Sequence, residues 1–342
     1  MSFNEYQHME NDYKFLKFHE VNNILSNNEL EFVAMEKIHG TNFSFICDGI
    51  NVIPCRRSNI LKTEENFFNY QTIFTKYKND IFDLFNLVKD LIKNKFNINI
   101  TQIQLYGELY GGLYPNSINM SVSKIVQKGV YYSNTNDFMA FDIRYKYVEE
   151  NKIKLNFLDW DFFVSLISKT SIPIVPILLK GSWTEVSKLN SKFESIVYKN
   201  HNLLKINDNY AEGYVIKPTK EIIFGDDNTR LIWKFKNPSF LEITTNNNKK
   251  ISSKSSNSNF EKLEKYINEN RYNNIKVKVV ENTEVSTVID LFYDDVWNDF
   301  IDDIKFFKIE LTKMEELELK KKLRGLINKF VRPRYKNLTL ST

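Results

Sequence analysis

Residues 245–259, TNNNKKISSKSSNSN, divide the chain into two parts whose apolar residues recur with different periods. The segment is rich in Asn, Ser and Lys, and Ile251 is its one apolar residue. Such a composition is typical of a flexible linker. We therefore predict a first domain over residues 1–245, a linker over 246–259 and a second domain over 260–342.

Before the linker, short runs typical of β-strands are mixed with amphipathic stretches. The strand-like runs are QIQLYGELY, DFMAFDIRY, IPIVPILL, EGYVIKP and RLIWKFKN. Over residues 70–96 the apolar residues recur every three or four positions, which predicts a helix. After the linker a helical period runs from Val288 through Leu291 to Ile304, and again through EELELKKKLRGLINKF. The pattern predicts an α+β domain followed by a small all-helical domain.

The composition is typical of a globular protein that needs neither a bilayer nor a structural metal. Of the 342 residues, 42% are hydrophobic and 26% are charged, and no apolar run approaches the ~20 residues needed to cross a bilayer. The first twelve residues contain three acids and no apolar stretch after a basic start, which argues against a targeting peptide. The two cysteines and four histidines have no zinc-ligand spacing. We expect a cytoplasmic protein without a membrane partner or a disulfide framework.

The C-terminal run at residues 320–336, KKKLRGLINKFVRPRYK, contains eight Lys or Arg residues and no acid. It could be the solvated face of a helix. It could also bind a polyanion, because clustered cations gain affinity by releasing counterions from phosphates. The candidate contacts are Lys329, Arg332 and Arg334. For the two arginines, packing of the last helix onto the first domain is a further alternative.

Lys37 stands between a short apolar run and a glycine in the stretch AMEKIHGTNFSFICDG. By itself, a lysine at the end of a strand is usually a surface residue. Asp48 and Gly49 are a strong signal for a two-residue hairpin turn between FSFIC and INVIPC, since such turns need positive φ. Counting outward from that turn pairs Gly40 with Arg57. The predicted hairpin therefore brings Arg57, a candidate phosphate ligand, beside Lys37, a candidate nucleophile.

Six motifs occur in the order found in covalent nucleotidyltransferases. They are EKIHGTN around Lys37, RRSNIL at 56–61, YGELYGG at 106–112, FMAFDI at 138–143, EGYVIKP at 212–218 and WKFKNPSF at 233–240. The first resembles the nucleotidyl-lysine motif in the His-Gly form of the RNA ligase 2 family, which includes the editing ligases of kinetoplastids. FVRPRY is similar to the end of the phage-type enzyme, although the resemblance is specific only as far as Phe240. It implies an antiparallel-sheet nucleotidyltransferase domain followed by a helical domain.

The resemblance implies that Lys37 attacks the α-phosphorus of ATP. A lysine must be a neutral amine to do so, and nearby cations favour the neutral form. Lys234 and Lys236 alternate along one strand, so both would face the same side, supply this positive charge and bind phosphate oxygens. Without the resemblance, the two lysines would be the polar face of an edge strand.

Two acids and the FMAFDI motif have further implied roles. Glu108 would bind the ribose, and Glu212 would support a metal ion and the reacting lysine, because magnesium prefers oxygen ligands. Phe141 would stack on the adenine ring, and Asp142 would support the site from the opposite face of the strand. By themselves, Phe141 would be a core aromatic and Glu108 a surface acid.

The remaining implied site residues contact the phosphates or the nucleotide. His39 replaces the aspartate of the KxDG pattern of DNA ligases and capping enzymes. Together with Asn42, it would orient phosphates or a hydrated metal. The same resemblance assigns Glu36, Arg57 and Lys217 to ATP binding.

The resemblance implies an ATP-dependent RNA ligase that joins a 3′-hydroxyl to a 5′-phosphate through a lysyl-AMP intermediate. Its expected co-substrate is ATP, its metal Mg²⁺ or Mn²⁺, and its partner RNA ends in a nicked or splinted duplex, bound by a monomer. One alternative is a DNA ligase or capping guanylyltransferase, which normally continues into a five-stranded barrel rather than helices. Another is a non-catalytic RNA-end-binding protein, which would not need a nucleophilic lysine.

Overall fold

Two compact units, Met1–Pro238 and Ser239–Thr342, make up the chain. The computed structural model describes residues 1–7, 9–11, 19–26, 29–115, 123–224, 229–240, 256–279, 283–306 and 311–336. Most of the predicted linker lies outside these residues, and its last four, 256–259, belong to a helix. The exact ends of the linker therefore stay a prediction.

The first unit combines two mainly antiparallel sheets with helices. Its elements in chain order are β1 (Glu10–Asn11), α1 (His19–Leu25), β2 (Glu31–Glu36), β3 (Thr41–Cys47), β4 (Val52–Arg56), α2 (Tyr70–Phe96), β5 (Ile100–Gly111), β6 (Asn136–Glu149), β7 (Lys152–Phe157), α3 (Trp160–Ile167), β8 (Ile177–Ser182), α4 (Trp183–Val186), β9 (Gly213–Pro218), β10 (Ile223–Phe224), β11 (Thr229–Arg230) and β12 (Trp233–Lys236). The predicted α+β class, built on antiparallel sheets, is confirmed.

The strand order explains why distant motifs meet. One sheet has the order β1-β12-β9-β2-β8 and the other β4-β3-β5-β6-β7, while β10 and β11 form a separate pair. β1 pairs with β12 in parallel, and the other neighbouring strands are antiparallel. Every residue of β9 is buried. The EKIHGTN motif, which begins at the end of β2, therefore lies beside the EGYVIKP motif, which leads into β9.

The predicted helix over residues 70–96 is confirmed as α2. Its buried side chains form one stripe, as the three- and four-residue spacing requires: Tyr70, Ile73, Tyr77, Ile81, Leu84, Phe85, Val88 and Ile92. The helix ends at Asn97, whose φ of 58° is left-handed and whose backbone N–H donates to the Lys93 carbonyl. Asparagine tolerates this conformation, so the residue stops the helix cleanly.

The hairpin between β3 and β4 differs from its predicted register. Cys47 pairs with Val52, and continuing the observed register places Arg57 opposite Asn42 rather than Gly40. The turn is shifted because the Asp48 carboxylate accepts the backbone N–H groups of residues 50 and 51, at 2.9 and 2.8 Å. Glycine 49, with a φ of 87°, then occupies the first central position of the turn.

The second unit is helical in its described residues. Its helices are α5 (Ser256–Glu264), α6 (Glu269–Lys278), α7 (Val285–Phe306) and α8 (Lys313–Lys336). The predicted stripe from Val288 to Ile304 packs into the core of this unit, although Leu291 is exposed. In the part of the chain that the structure describes, no helix is both long enough and apolar enough to cross a membrane.

Candidate active site

Lys37 lies directly after β2, where its backbone and its side chain are both held. Its N–H donates to the Gly213 carbonyl at 2.9 Å, and the preceding Glu36 N–H donates to the Pro176 carbonyl at 2.8 Å. The Lys37 ammonium contacts Glu212, with 2.7 Å between Nζ and Oε2. The side chain is 19% exposed, so the amine is fixed but reachable.

Glu212 is the centre of this cluster. Its second oxygen, Oε1, lies 3.4 Å from Lys236 Nζ, and Oε2 also lies 3.3 Å from His39 Nδ1. Burial alone would raise the pKa of Glu212, but the charges of Lys37 and Lys236 and the hydrogen bond with His39 bring it well below its usual value. Glu212 is therefore an ionised carboxylate surrounded by nitrogen groups of Lys37, His39 and Lys236.

Lys234 and Lys236 are brought to the site by β12. Their pairing partners in β9 are Val215 and Gly213, so the two lysines lie two positions apart on the same strand face. Lys236 is only 7% exposed and contacts Glu212 directly. Lys234 is partly buried. It lies opposite Val215, two residues further along β9 than Gly213, the partner of Lys236. The structure thus places both predicted lysines on the strand that borders Glu212.

Glu108 and Asn42 lie opposite each other in the pairing of β5 with β3. Burial, together with the charge of Glu212, raises the pKa of Glu108 to about 8 against opposing contributions from Lys37, the Gly40 N–H and Arg57. These effects place Glu108 among the other site residues. A Cβ at Gly40 would lie 2.2 Å from the Leu109 carbonyl oxygen, so a residue with a side chain cannot fit at this crossing.

Arg57 follows β4 and reaches the site from its exposed side. Its Nε contacts Glu5 Oε1 at 3.1 Å, and about half of each side chain is exposed, 54% and 53%. Its charge also favours the ionised form of Glu108. The observed register thus places Arg57 opposite Asn42, and its closeness to Lys37 stays a prediction.

A β-bulge brings Phe141 and Asp142 to a common neighbour. In the pairing of β5 with β6, Tyr106 lies opposite Asp142 and Gly107 lies opposite Ala140, so Phe141 is the extra residue. Tyr6 contacts Phe141 edge-on at 5.0 Å between ring centroids and donates from its hydroxyl to Asp142 Oδ2 at 2.9 Å. The prediction that the two side chains take opposite faces is wrong, because a bulge interrupts the regular alternation.

Asp142 is fully buried in an ionic cluster with Lys217 and Arg230. Lys217 Nζ lies 3.1 Å from Oδ1, and Arg230 Nη2 lies 2.8 Å from Oδ2. Burial would raise the pKa of Asp142, but these two cations lower it below its usual value. Lys217 was predicted to bind ATP; in this structure its ammonium is 3% exposed and faces Asp142.

Glu36 is buried behind the lysine loop. Strand alternation places it on the face of β2 that carries Phe32 and Ala34, opposite to Lys37. Burial raises the pKa of Glu36 to about 7, against smaller opposing effects of Ser195 and the Ile196 backbone. A contact between Glu36 and ATP would thus have to come from the Glu36 backbone.

Three residues of the site carried no signal in the sequence. Tyr6 and Arg230 complete the Asp142 cluster, with 3.1 Å between Arg230 Nη1 and the Tyr6 hydroxyl. Tyr132 accepts the His39 backbone N–H at 2.8 Å. These contacts join segments that are far apart in the chain, and no local spacing marks them. The Tyr132 segment, KGVYYS, lies between two motifs and was not interpreted.

The chemistry of the donors fits a divalent metal only when the nucleotide is also a ligand. Among the described residues, no three His, Cys, Asp or Glu side chains group together to hold a metal. A Mg²⁺ site built on one or two carboxylates and substrate phosphates does not need such a group. Glu212 is the ionised carboxylate beside Lys37 and so remains the side chain placed to assist a metal ion.

The basic run of α8 is partly neutralised by acids from the preceding turn of the same helix and from other helices. Ion pairs link Lys320 with Glu316, Lys322 with Glu318, Arg324 with Asp290 and Arg334 with Glu269. Arg334 also donates to the Phe330 carbonyl. Lys329 and Arg332 are exposed, and Arg332 donates to Asn328 Oδ1 at 3.1 Å. Of the three predicted phosphate contacts, Arg334 thus also serves the packing of its own unit.

The sequence model of the RNA ligase family matches residues 30–236. The chain belongs to the RNA ligase family. The match runs from the residue before β2 to the last residue of β12, and it contains Lys37, Glu108, Glu212 and Lys236. The family that the six motifs predicted is therefore confirmed.

Two curated relatives are mitochondrial RNA-editing ligases of Trypanosoma brucei brucei. RNA-editing ligase 1 is 29% identical over 248 residues, which are 62% of this chain and 50% of the relative. RNA-editing ligase 2 is 25% identical over 238 residues, which are 64% of this chain and 56% of the relative. The chain spans about half the length of the curated relatives it matches. The resemblance to editing ligases is confirmed for this shared part.

Solved structures with a similar chain include RNA ligase of Naegleria gruberi. A mutant of that ligase with ATP and manganese has a TM-score of 0.42 and 17% identity, over 69% of this chain and 57% of the other. The ligase with pyrophosphate has the same TM-score and identity, over 70% of this chain and 57% of the other.

Proposed function

We propose that this protein is an ATP-dependent RNA ligase that works through a lysyl-AMP intermediate. The observation that carries the proposal is the contact of Lys37 with the buried, ionised Glu212, with Lys236 on the other carboxylate oxygen. This cluster holds an amine in a fixed place beside cations that can bind phosphate oxygens. Membership of the RNA ligase family supports the substrate class.

In the first step, the Lys37 amine attacks the α-phosphorus of ATP. A P–N bond forms between Nζ and the α-phosphorus, the bond from the α-phosphorus to the bridging oxygen breaks, pyrophosphate leaves, and the proton of Nζ passes to water. Because the pKa of Glu212 is well below its usual value, Glu212 is a weak base and orients Lys37 rather than storing that proton. Lys236 places positive charge next to the phosphates, and a bound divalent ion would supply further neutralisation of phosphoryl oxygens.

In the second step, AMP passes from Lys37 to the 5′-phosphate of an RNA end and leaves the lysine as a free amine. In the third step, the 3′-hydroxyl of the other end attacks the activated phosphate and AMP departs. Phe141 and Glu108 would hold the adenine and the ribose. We propose RNA ends in a nicked or splinted duplex as the substrate, a monomer as the active form, and Mg²⁺ or Mn²⁺ as the metal.

The test is labelling with ATP that carries a radioactive α-phosphate, in the presence of magnesium, followed by denaturation. Wild-type protein should retain the label and Lys37→Ala should not, whereas Lys154→Ala, which removes an exposed lysine of β7, should label normally. Label on Lys37→Ala, or label from GTP or NAD but not ATP, would contradict the proposal. Binding of RNA ends without any label would instead favour the non-catalytic alternative.

A second measurement distinguishes loss of the Lys37 nucleophile from loss of the folded protein. Lys37→Ala supplied with a pre-adenylylated nicked duplex should retain some sealing, because only the third step remains and it does not use the lysine. Complete loss of that sealing in a folded Lys37→Ala protein would contradict the proposed division of steps.

A further inference from the structure

The loop that carries Lys37 is fixed by three backbone hydrogen bonds, and one of their acceptors is a side chain. Glu36 N–H and Lys37 N–H donate to backbone carbonyls in the segments that enter β8 and β9. His39 N–H donates to the hydroxyl of Tyr132, with 2.8 Å between the two atoms. Tyr132 therefore holds the loop from a segment that contributes none of the six motifs.

The surroundings of Tyr132 make its hydroxyl a rigid acceptor. The residue is 1% exposed, and its ring packs edge-on against Tyr110 at 5.6 Å and 79°. The Tyr110 hydroxyl forms a separate hydrogen bond of 2.9 Å with His201 Nε2. Burial, reinforced by the charges of Glu36, Glu212 and Glu108, keeps the pKa of Tyr132 well above its usual value. Tyr132 is therefore a neutral phenol that cannot easily move.

The residue before Tyr132 binds the segment that carries Glu212. The side-chain amide of Asn209 accepts from the Tyr131 N–H at 2.8 Å and donates to the Tyr131 carbonyl at 2.7 Å. Asn209 lies three positions before Glu212 and is 5% exposed. Two adjacent residues thus bind the two segments whose side chains meet in the contact between Lys37 and Glu212.

We propose that Tyr132 is a positioning residue for transfer of AMP to Lys37: its hydroxyl fixes His39, which contacts Glu212 and thereby aligns Lys37. The inference rests on the proposed ligase function. It assigns no contact with ATP or RNA to Tyr132, which acts through the loop.

The hydroxyl, rather than the ring, carries this role. Tyr132→Phe keeps the ring and its packing on Tyr110, but the partly buried His39 N–H loses the Tyr132 hydroxyl as its acceptor, so the loop should shift. The His39 imidazole and the Lys37 amine move with the loop. Since a misplacement of about 1 Å can cost on the order of a hundredfold in rate, attack on ATP should slow by about ten- to a hundredfold.

The matched control is Tyr110→Phe. It removes the next hydroxyl in the same aromatic pair, and that hydroxyl binds His201 rather than the lysine loop. Single-turnover labelling from ATP should be slowed in Tyr132→Phe at saturating ATP, with little change in the ATP concentration that gives half the maximal rate. Tyr110→Phe should become labelled at a rate within about twofold of wild type, because the hydrogen bond it loses is with His201 and not with the loop that carries Lys37.

A purely structural role for the Tyr132 hydroxyl predicts a different result. It would lower labelling and the sealing of pre-adenylylated RNA by the same factor, in step with the loss of folded protein seen by thermal unfolding. The positioning role predicts a larger loss in labelling than in sealing while the protein stays folded. Equal losses, or labelling of Tyr132→Phe at the wild-type rate, would overturn this inference alone. Absence of label on wild-type protein would overturn the proposed function and this inference with it.

Discussion

Lys37 Nζ and Glu212 Oε2 lie 2.7 Å apart although 175 positions separate the two residues in the chain. The two residues meet because β2 and β9 are antiparallel neighbours in the sheet. Lys37 directly follows the end of β2, and Glu212 directly precedes the start of β9. The Lys37 N–H also donates to the carbonyl of Gly213, the residue after Glu212. Backbone and side chain thus fix the same pair, which makes the pair the natural target of mutation.

Replacing the Glu212 carboxylate by an amide should slow labelling from ATP without unfolding the protein. Glu212→Gln keeps the shape but loses the charge that orients Lys37 and Lys236, and removal of one such electrostatic contact typically costs about a hundred- to a thousandfold in rate. Single-turnover labelling measures the effect. The control is Glu194→Gln, which removes an ion pair with Lys205 elsewhere in the first unit. Labelling by Glu212→Gln at the wild-type rate would refute the assigned role.

Glu108 should make the nucleotide-free protein less stable as the pH rises. Its pKa of about 8 in the folded protein lies above the value of about 4.3 for an unfolded glutamate, so folding takes up a proton between these values. The stabilisation is complete below the unfolded pKa and is lost as the pH rises through 8. Glu108→Gln cannot ionise, so its free energy of unfolding relative to wild type should increase by about 3 to 4 kcal/mol from pH 5 to pH 8.

Urea unfolding of both proteins at several pH values tests this. Burial raises the pKa of Glu36 to about 7, so Glu36 also makes the free energy of unfolding fall with rising pH in both proteins. Glu108→Gln should therefore retain part of the pH dependence of stability. A constant difference between Glu108→Gln and wild type across this range would show that Glu108 does not titrate as described.

Asp142→Asn should destabilise the first unit. Lys217 and Arg230 would then be buried with one fewer acid, and breaking a buried ion pair from one side costs about 3 to 5 kcal/mol. Thermal or urea unfolding measures the loss. Asp161→Asn provides the comparison, because Asp161 pairs with Lys180 while 61% exposed, and such surface pairs contribute about 1 kcal/mol or less. Equal effects from the two substitutions would contradict the buried network.

The exposed cations of α8 should act on RNA affinity, and Arg334 on stability. Changing both Lys329 and Arg332 to Ala should lower the slope of log K against log salt by roughly 1.4 to 1.8, at 0.7 to 0.9 per phosphate contact. Arg334→Ala should instead lower the stability of the helical unit, since it loses Glu269 and the Phe330 carbonyl. Salt titrations of RNA binding distinguish the two. An unchanged slope in the double variant would leave these residues as solvated helix surface.

The sequence predicts the parts of the site that rest on local pattern. Lys37, Glu212 and Lys236 were placed by motifs, and the structure brings them within contact distance. The helix at 70–96 follows from spacing alone. Residue order and periodicity are enough to predict these features. The pairing of β9 with β2 and with β12 then brings the three site residues together.

Features that depend on a single side chain or on residues distant in the chain were not predicted from the sequence. The hairpin register depends on the Asp48 carboxylate, and the side shared by Phe141 and Asp142 depends on one bulge. The acids that neutralise part of α8 come from an earlier turn and from other helices. Tyr6 and Arg230 join Asp142 across the fold. These tertiary contacts have no period along the chain, so no spacing could have indicated them, unlike the i,i+4 pairs of Glu316 with Lys320 and Glu318 with Lys322.

The cluster of Tyr6, Asp142 and Arg230 also sets an order of events during synthesis. Tyr6 and Arg230 are separated by 224 positions, so Tyr6 leaves the ribosome long before its last partner. At about 5 to 20 residues per second, that interval is roughly 10 to 45 s. Over this time the growing chain can pair β5 with β3 and with β6, but it cannot enclose Asp142 with both Lys217 and Arg230. A partly synthesised chain therefore lacks the completed Asp142 cluster, and under the proposed function competence to take up AMP should arise only as translation of the first unit ends.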